Sequence, residues 1–201
     1  DTLDENMDIG IIGEGEETFS ELMTLLLKNK FNQENLSKVK GIVFHGQSGI
    51  VRTENRPLLE NLDSLPFPDR EALGVKRGDN LYMFSSRGCP YRCVFCFSSR
   101  FWNRVRFNSA EYVVNEIRHL VEKYDVLRIT FCDDLFIADL NRLRKIVELL
   151  KRERFYRKIK FTVSVRANLI NQASADLLKQ MGADIITMGL ESGCPRVLNF
   201  L

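Results

Sequence analysis

The chain has 201 residues, of which 29 are Lys or Arg and 27 are Asp or Glu, and 44% of the residues are hydrophobic. This composition excludes an intrinsically disordered chain, because it supplies enough apolar surface to form a core. The formal net charge of +2 gives no sign of nucleic acid or an anionic membrane as a partner, and we expect neither. No apolar run approaches the roughly 18 residues of a membrane span, and no signal peptide pattern is present, so we expect a cytoplasmic protein.

Residues 1–53 predict a short unit with a strand, a helix and a hairpin. The apolar segment 7–12 ends at a glycine turn, after which acidic residues precede an amphipathic run with Phe19, Leu22, Leu25 and Leu26 at helical spacing. Residues 41–44 and 50–52 predict the two arms of a hairpin. Residues 54–80 hold three of the five prolines and predict a linker, because proline removes backbone donors and restricts the residue before it.

From residue 81 onward, strand and helix patterns alternate. Strands are predicted at 81–86, 127–131, 159–165 and 184–190, and helices at 109–124, from 139 to about 150, and at 173–181. Four such repeats predict parallel βαβ units and an α/β fold. The chain starts at Asp1 and stops soon after the fourth strand, so we expect it to be a piece of a longer protein.

Polar or sulfur-bearing residues follow each of the four predicted strands. In parallel α/β sheets the loops after the strands share one face, and that face holds the site. The residues that these loops bring together are Cys89, Cys93 and Cys96, then Cys132, Asp133 and Asp134, then Arg166 and Asn168, and finally Glu191. This convergence predicts a functional site at one edge of the sheet.

The spacing C-x3-C-x2-C of Cys89, Cys93 and Cys96 predicts a metal centre. Clustered thiols in a chain without a secretory signal indicate metal or cluster binding before they indicate disulfides. Three protein ligands leave one metal position open, as catalytic sites do, whereas a structural zinc site closes it. Thiolates suit both zinc and iron–sulfur clusters. The other two cysteines, Cys132 and Cys194, are interpreted as bystanders; a fourth cluster ligand is the alternative interpretation of Cys132.

The motif C-x3-C-x-aromatic-C, with Phe95 at the aromatic position, resembles the radical S-adenosylmethionine superfamily. The resemblance covers residues 81–201 and implies a partial (β/α)6 barrel of about four βα units, truncated at its fourth strand. It implies a [4Fe-4S] cluster on the three cysteines, with S-adenosylmethionine on the open iron. It also implies reductive cleavage of S-adenosylmethionine to a 5′-deoxyadenosyl radical.

Further segments resemble one branch of that superfamily, the radical enzymes with a cobalamin-binding domain. The segments that carry this resemblance are residues 12–19, 62–70, 131–136 and 189–193. It implies that residues 1–53 are the end of a Rossmann-like cobalamin-binding domain and that the full-length protein binds cobalamin. The branch commonly has an acidic residue two positions after Arg166, where this chain has Asn168. The cobalamin-binding Asp-x-His-x-x-Gly motif is absent from this stretch.

The resemblance also implies cofactor contacts for five residues, each of which has a plainer interpretation. Phe95 would contact adenine, or else belong to the core. Asp133 and Asp134 would contact the methionine amine, or else cap a turn or helix. Arg166 would pair with the methionine carboxylate, or else form a surface ion pair. Glu191 would bind ribose hydroxyls or the amine, or else sit at a helix start.

The resemblance implies a radical S-adenosylmethionine enzyme. The favoured hypothesis is a cobalamin-dependent methyltransferase or a related radical modification enzyme. We expect a small-molecule or peptide substrate and an electron donor such as flavodoxin or ferredoxin. One alternative is a methylthiotransferase-type radical enzyme, although no cysteine precedes Cys89 in this sequence. The other is a non-catalytic iron–sulfur or zinc module. We expect the isolated chain to be incomplete as an enzyme.

Overall fold

The computed structural model describes residues 3, 4 and 6–200, without the side chain of Ser99. The chain divides into two compact units, residues 1–60 and residues from 61 onward. The division falls inside the predicted linker. Among the described residues, no helix is long and apolar enough to cross a membrane.

The first unit is a small antiparallel sheet with two helices. Its elements are β1 (Ile9–Ile11), α1 (Glu16–Leu27), α2 (Gln33–Leu36), β2 (Ile42–Gly46) and β3 (Gly49–Arg52). Strand β2 lies between β1 and β3 and pairs antiparallel with both, which confirms the predicted hairpin. A core of five buried apolar side chains joins the sheet to the helices: Leu22, Leu36, Val39, Ile42 and Phe44.

Helix α1 faces this core differently from the expectation. Leu22 is buried, but Phe19 and Leu26 are 58% and 49% exposed, so the predicted apolar face is wrong at those two positions. The fully buried Thr18 lies on the inner face instead. Its hydroxyl donates to the Lys40 carbonyl at 3.1 Å and accepts from Nε of Arg56 at 2.8 Å, so its polar oxygen is satisfied inside the unit.

The second unit is an α/β domain built on a four-stranded parallel sheet. Its elements are β4 (Leu81–Met83), β5 (Ser86–Arg87), α3 (Ser98–Phe101), β6 (Arg106–Phe107), α4 (Ala110–Tyr124), β7 (Arg128–Phe131), α5 (Leu140–Leu150), β8 (Lys160–Val165), α6 (Gln172–Met181), β9 (Ala183–Met188) and α7 (Pro195–Phe200). The sheet order is β4-β7-β8-β9, and every pairing in it is parallel. The predicted α/β fold with successive βα units is therefore confirmed.

Local signals in the sequence start the helices of this unit. The Ser109 hydroxyl accepts from the backbone N–H of Tyr112 at 3.0 Å, and Asp139 caps α5 in the same way. Helix α6 begins with a reciprocal capping box between Asn171 and Ser174. Helices α4 and α5 each bury an apolar face against the sheet; the buried members are Val113, Val114, Ile117, Leu120, Leu143, Ile146, Val147 and Leu150.

Three details of this unit differ from the sequence expectation. The strand predicted at 81–86 is two strands, because Ser86 and Arg87 leave the parallel sheet and pair antiparallel with β6. Strand β9 ends at Met188, two residues before the predicted end. The sequence does not predict helices α3 and α7 or strand β6.

Residues 61–70, called the strap here, pack onto α4 as part of the second unit. One carboxylate oxygen of Asp63 accepts from the side chain of Asn108 at 3.2 Å and from the backbone N–H of Ser109 at 2.9 Å. The hydroxyl of Tyr112 donates to the Leu65 carbonyl at 3.2 Å. This part of the predicted linker is thus fixed to the start of α4.

A buried ion pair fixes the other end of the strap. Nη2 of Arg70 lies 2.6 Å from Oε1 of Glu116 on α4 and 3.1 Å from the Tyr82 carbonyl on β4. The side chains of Arg70 and Glu116 are only 6% and 3% exposed. Burial raises the pKa of Glu116, and the hydrogen bond from Arg70 opposes that rise.

An acid-sensitive ion pair links α4 to the segment after α5. Nε and Nη2 of Arg118 donate to the two oxygens of Glu153 at 3.0 and 2.7 Å, and these bonds lower the pKa of Glu153. A lowered pKa in the folded state means that the pair stabilises the fold above about pH 4.3 and loses this effect as pH falls through the folded value. We expect Glu153→Gln to lower the free energy of unfolding by about 0.5–1 kcal/mol at pH 7.

Urea unfolding at pH 7, 5 and 4 measures this effect, with Glu148→Gln on the exposed face of α5 as the control. The difference between Glu153→Gln and the parent protein should shrink as pH falls. A difference that stays constant across this range would contradict the assignment.

Candidate functional site

Residues 88–105, called the cysteine loop here, begin at the end of β5 and finish at the start of β6. The two strands pair antiparallel, with Ser86 opposite Phe107 and Arg87 opposite Arg106. This short ladder closes the base of the loop. The loop therefore leaves the carboxyl side of the first parallel strand and returns to it, where α/β folds place their sites.

Gly88 makes the tight departure from β5 possible. Its φ is +93°, a conformation that residues with a Cβ rarely adopt. A Cβ at this position would lie 2.7 Å from the Arg104 carbonyl oxygen and 3.0 Å from Cβ of Trp102. The Trp102 ring itself lies near two guanidinium groups, 5.9 Å from that of Arg87 and 5.3 Å from that of Arg106. Both sides of the loop base are thus in close contact.

The five cysteines are free thiols, and Cys89, Cys93 and Cys96 are half-buried. The backbone N–H of Cys96 donates to the Cys93 carbonyl at 3.0 Å, which bends the loop between these two residues. Burial raises the pKa of Cys89, a backbone hydrogen bond from Tyr91 opposes the rise, and the charges of Asp134, Cys96 and Cys93 add to it. Cys89 is therefore close enough to Cys93, Cys96 and Asp134 for their charges to act on its thiol.

The donor set of this loop fits an iron–sulfur cluster. Within residues 3, 4 and 6–200, no group of three or more His, Cys, Asp or Glu side chains is arranged around a single metal ion. A cluster presents a separate iron to each thiolate, so its ligands stand farther apart than those of one ion. Three thiols on one closed loop match the protein ligands of an iron–sulfur cluster in chemistry and in number.

Asp133 is a structural anchor. Its carboxylate is 3% exposed, and it accepts from the backbone N–H of Ser85 at 2.6 Å, the Ser85 hydroxyl at 2.5 Å and the Ser86 hydroxyl at 2.7 Å. Burial raises its pKa, and these hydrogen bonds oppose the rise. The expected contact between Asp133 and the methionine amine does not fit this position, because both oxygens are committed to the segment between β4 and β5.

Asp134 is exposed and faces the cysteine loop. Its Oδ2 accepts from the hydroxyl of Ser98, the first residue of α3, at 2.6 Å. The two neighbouring carboxylates after β7 thus make different contacts. Asp133 fixes the chain that leads into the loop, and Asp134 reaches the loop itself.

Arg166, which follows β8, also reaches the cysteine loop. Its Nη1 donates to the sulfur of Cys93 at 3.4 Å, and its guanidinium carbon lies 3.9 Å from the centre of the Tyr91 ring. Asn168 donates to the Tyr91 hydroxyl at 3.1 Å. The loops after β7 and β8 therefore both hold the cysteine loop, as the convergence argument predicts.

Two other predicted residues lie apart from these contacts. Phe95 is 56% exposed, which excludes its interpretation as a core residue. Glu191 is exposed with a φ of +58° and folds back over Gly189, where a Cβ would collide with its carboxylate. Half-buried Cys132 and exposed Cys194 agree with their interpretation as bystanders. Arg166 thus contacts Cys93 and Asp134 contacts Ser98 in the cysteine loop, whereas Glu191 makes no hydrogen bond to the described part of that loop.

The sequence predicts Asn168 at this edge of the sheet, but it does not identify Tyr91 and Ser98 as members of the site. Tyr91 and Ser98 lie within or beside the cysteine motif, and Asn168 lies two positions after Arg166. Their pairing joins residues 36 or more positions apart, as for Ser98 with Asp134. Periodicity and local motifs carry no information about such contacts.

Residues 83–201 match the radical SAM superfamily, and the chain belongs to it. The match begins at the last residue of β4 and includes the cysteine loop and the other three strands of the parallel sheet. The match therefore confirms the superfamily that the three-cysteine loop and the α/β fold indicate.

The chain is 36% identical over 204 residues to an uncharacterised methyltransferase of Pyrococcus horikoshii, with 97% of this chain and 42% of that protein covered. It is 26% identical to cytidylyl-2-hydroxyethylphosphonate methyltransferase of Streptomyces wedmorensis, covering 98% of this chain and 43% of the relative. It is 27% identical to anaerobic magnesium-protoporphyrin IX monomethyl ester cyclase of Rubrivivax gelatinosus, covering 87% and 36%. The chain thus spans less than half the length of these relatives.

Solved structures share the fold. The radical S-adenosylmethionine methyltransferase TsrM of Kitasatospora setae, with cobalamin and a [4Fe-4S] cluster bound, superimposes with a TM-score of 0.75 at 18% identity, covering 96% of this chain and 39% of TsrM. The cobalamin-dependent S-adenosylmethionine radical enzyme OxsB superimposes with a TM-score of 0.73 at 25% identity, covering 95% and 29%. These matches confirm the α/β architecture.

Proposed function

We propose that this chain is the cluster-binding part of a radical S-adenosylmethionine enzyme and that the whole protein is a cobalamin-dependent methyltransferase. The observation that carries the proposal is the cysteine loop. It presents three thiols at the carboxyl edge of a parallel sheet, is closed by a β-ladder, and is held by Asp134 and Arg166 from the next two strands. The methyltransferase assignment is supported by the two methyltransferases among the relatives described above.

In this proposal Cys89, Cys93 and Cys96 ligate a [4Fe-4S] cluster and leave one iron for the amino and carboxylate groups of S-adenosylmethionine. When bound, the cluster supplies the electron that cleaves S-adenosylmethionine to a 5′-deoxyadenosyl radical. The protein contributes binding, orientation and the exclusion of water. Half-burial of the three thiols suits this role, because a ligand seated on them lies partly out of solvent.

Charge and exposure suggest how the remaining side chains orient S-adenosylmethionine. The exposed carboxylate of Asp134 is the proposed partner of the methionine amine in place of Asp133. Arg166 has five N–H donors, so donation to Cys93 leaves donors for the methionine carboxylate. Phe95 offers an exposed ring to adenine, and Glu191 offers an exposed carboxylate to the ribose hydroxyls.

The same proposal assigns residues 1–53 to the end of a cobalamin-binding domain. It is supported by the superposition on the cobalamin-dependent enzyme OxsB, which covers 95% of this chain. The whole enzyme would act on a small-molecule or peptide substrate and receive electrons from a flavodoxin or ferredoxin. Five free thiols and a reducible cluster suit the cytoplasm, where thiols stay reduced.

Anaerobic reconstitution with iron and sulfide tests the ligand assignment. We expect about four irons per chain and a broad brown absorbance. Each of Cys89→Ala, Cys93→Ala and Cys96→Ala should lose most of this iron, because two thiolates hold a cluster weakly. Cys132→Ala and Cys194→Ala are the matched controls and should retain it.

Unchanged iron content in the triple alanine variant would refute the proposal. For the whole enzyme, reduction with dithionite should release 5′-deoxyadenosine from S-adenosylmethionine, and the Cys93→Ala variant should release none. A full-length protein that holds the cluster but leaves S-adenosylmethionine intact would refute the assignment to radical chemistry.

A further inference from the structure

Three side chains form a bracket around the middle of the cysteine loop. We use the term Arg166 bracket for Tyr91, Arg166 and Asn168. The guanidinium of Arg166 lies over the Tyr91 ring at 3.9 Å and donates to the Cys93 sulfur at 3.4 Å. Asn168 fixes the far end of the same ring through its hydroxyl at 3.1 Å. Two residues after β8 therefore bind two residues of the loop. Arg166 and Cys93 are 73 positions apart in sequence, and Asn168 and Tyr91 are 77 positions apart.

We propose that Arg166 is a positioning residue that sets the reduction potential of the cluster through Cys93, with Tyr91 and Asn168 holding its guanidinium in place. This inference rests on the proposed function, since it requires a cluster on the three cysteines. It assigns Arg166 a task that precedes any contact with S-adenosylmethionine. The task is to make the cluster easier to reduce.

Electrostatics give the direction of the effect. Reduction adds an electron, and a positive charge near a ligand sulfur stabilises the reduced state more than the oxidised state. Hydrogen bonds to the sulfur act in the same direction, and they are among the features that set cluster potentials. Arg166 supplies both, and it is half-buried, so water screens its charge less than that of a surface cation.

The geometry also explains why arginine suits this position. A guanidinium is planar and can stack on an aromatic ring while its edge donates hydrogen bonds. A lysine at the same place would supply a point charge but would lack the flat face that Tyr91 contacts. Stacking on Tyr91 therefore fixes the direction in which Nη1 points, which is toward Cys93.

Arg92 provides a control of equal charge. It neighbours Cys93 in the chain and is exposed, and within the described residues it makes no hydrogen bond to a cysteine sulfur. Arg92→Met and Arg166→Met remove the same charge from the vicinity of Cys93. Only the second variant removes an N–H···S bond.

The experiment is a redox titration of the reconstituted protein without S-adenosylmethionine, followed by electron paramagnetic resonance. At a fixed ambient potential we expect Arg166→Met to lower the ratio of reduced to oxidised cluster about tenfold, which corresponds to about 59 mV for one electron. Arg92→Met should change the ratio less than about twofold, because its charge is solvated. Equal shifts in the two variants, or no shift in Arg166→Met, would overturn the proposal.

A second measurement uses the iron-free chain and does not depend on the cluster. Trypsin needs an extended stretch of chain at its cleavage site, so we expect the rate of cleavage after Arg92 to report how often the loop opens. Tyr91→Leu removes the platform and should speed cleavage roughly fivefold. Tyr82→Leu, which replaces a tyrosine that is 65% exposed on β4, should leave the rate unchanged. Equal rates in the two variants would overturn the bracket.

The two tests separate failure of this inference from failure of the proposed function. A protein that takes up no iron on its three cysteines refutes the proposed function, whereas the proteolysis result still decides whether the bracket holds the loop. A protein that takes up the cluster, with a potential that is insensitive to Arg166→Met, retains the proposed function and loses this inference.

Discussion

Replacing Arg70 with Met should lower the free energy of unfolding of the second unit by about 3–5 kcal/mol at pH 7, because it leaves a buried carboxylate without its partner. Glu116 is 3% exposed, and its Oε1 accepts from Arg70 at 2.6 Å. The variant also removes the donor to the Tyr82 carbonyl, which ties the strap to β4. Urea unfolding followed by circular dichroism measures the loss.

The pH dependence of this variant has a definite sign. Burial already raises the pKa of Glu116, and the hydrogen bond from Arg70 opposes that rise. Without Arg70 the folded-state pKa rises further above the unfolded value. A raised folded-state pKa favours folding at low pH and costs stability as pH increases. The penalty of Arg70→Met should therefore be larger at pH 7 than at pH 5.

Two controls distinguish a lost ion pair from lost packing. The double variant with Arg70→Met and Glu116→Leu removes both charges and should recover most of the stability, since apolar replacements of buried pairs are often neutral. Arg77→Met breaks a pair with Asp125 whose side chains are 70% and 67% exposed, and it should cost under about 0.5 kcal/mol. A double variant as unstable as Arg70→Met would contradict the buried-pair explanation.

Replacing Asp133 with Ala is expected to cost about 3 kcal/mol, because it leaves the buried backbone N–H and hydroxyl of Ser85 without their acceptor. The hydroxyl of Ser86 loses the same carboxylate. We expect thermal unfolding about 10 °C lower, given the size of this unit. Weaker retention of iron should accompany the loss, because this carboxylate fixes the chain between β4 and β5 that leads into the cysteine loop.

Asp134→Ala is the matched control one residue away. Asp134 is exposed and accepts one hydrogen bond from Ser98, so its loss should cost under about 0.5 kcal/mol. In the full-length protein the same variant should weaken binding of S-adenosylmethionine, as the proposed contact with the methionine amine requires. Similar losses of stability in both alanine variants would contradict the division of roles between the two carboxylates.

The repeating part of the fold could be predicted from the sequence because its signals are local. The apolar faces of α4 and α5 recur at helical spacing, and Ser109 and Asp139 occupy capping positions directly before them. The strands between these helices are short apolar runs. Parallel pairing then follows from the alternation itself.

Features that depend on long-range contacts could not be predicted in this way. The sequence of the strap is typical of a proline-rich linker. No local pattern near Arg70 predicts its buried ion pair with Glu116, which lies 46 positions away. Asp133 and Asp134 look equivalent in sequence, yet one is 3% exposed and the other is exposed. In α1 the periodic pattern suggests four inward residues, but a small sheet covers only part of that face, so Phe19 and Leu26 remain exposed.

In the candidate site, too, some features follow from local sequence patterns and others only from long-range contacts. The three cysteines, Asp134 and Arg166 follow from the motif and from the rule that loops after parallel strands converge. The roles of Tyr91 and Asn168 follow only from the ring contact and the hydrogen bond that join them across the site. The sequence therefore predicts where the site lies, and the structure adds the contacts between the loops.

The two-residue ladder between β5 and β6 bears on whether the chain stays folded after oxygen destroys a bound cluster. A zinc finger folds only with its metal, because the metal closes its loops. Here protein contacts also close the loop: the backbone bonds of the ladder, the turn at Gly88 and the contacts from Asp134 and Arg166. Oxidative destruction of a cluster would then remove an inorganic part and leave the polypeptide fold in place. We expect the emptied chain to serve again as a scaffold on which a new cluster is assembled.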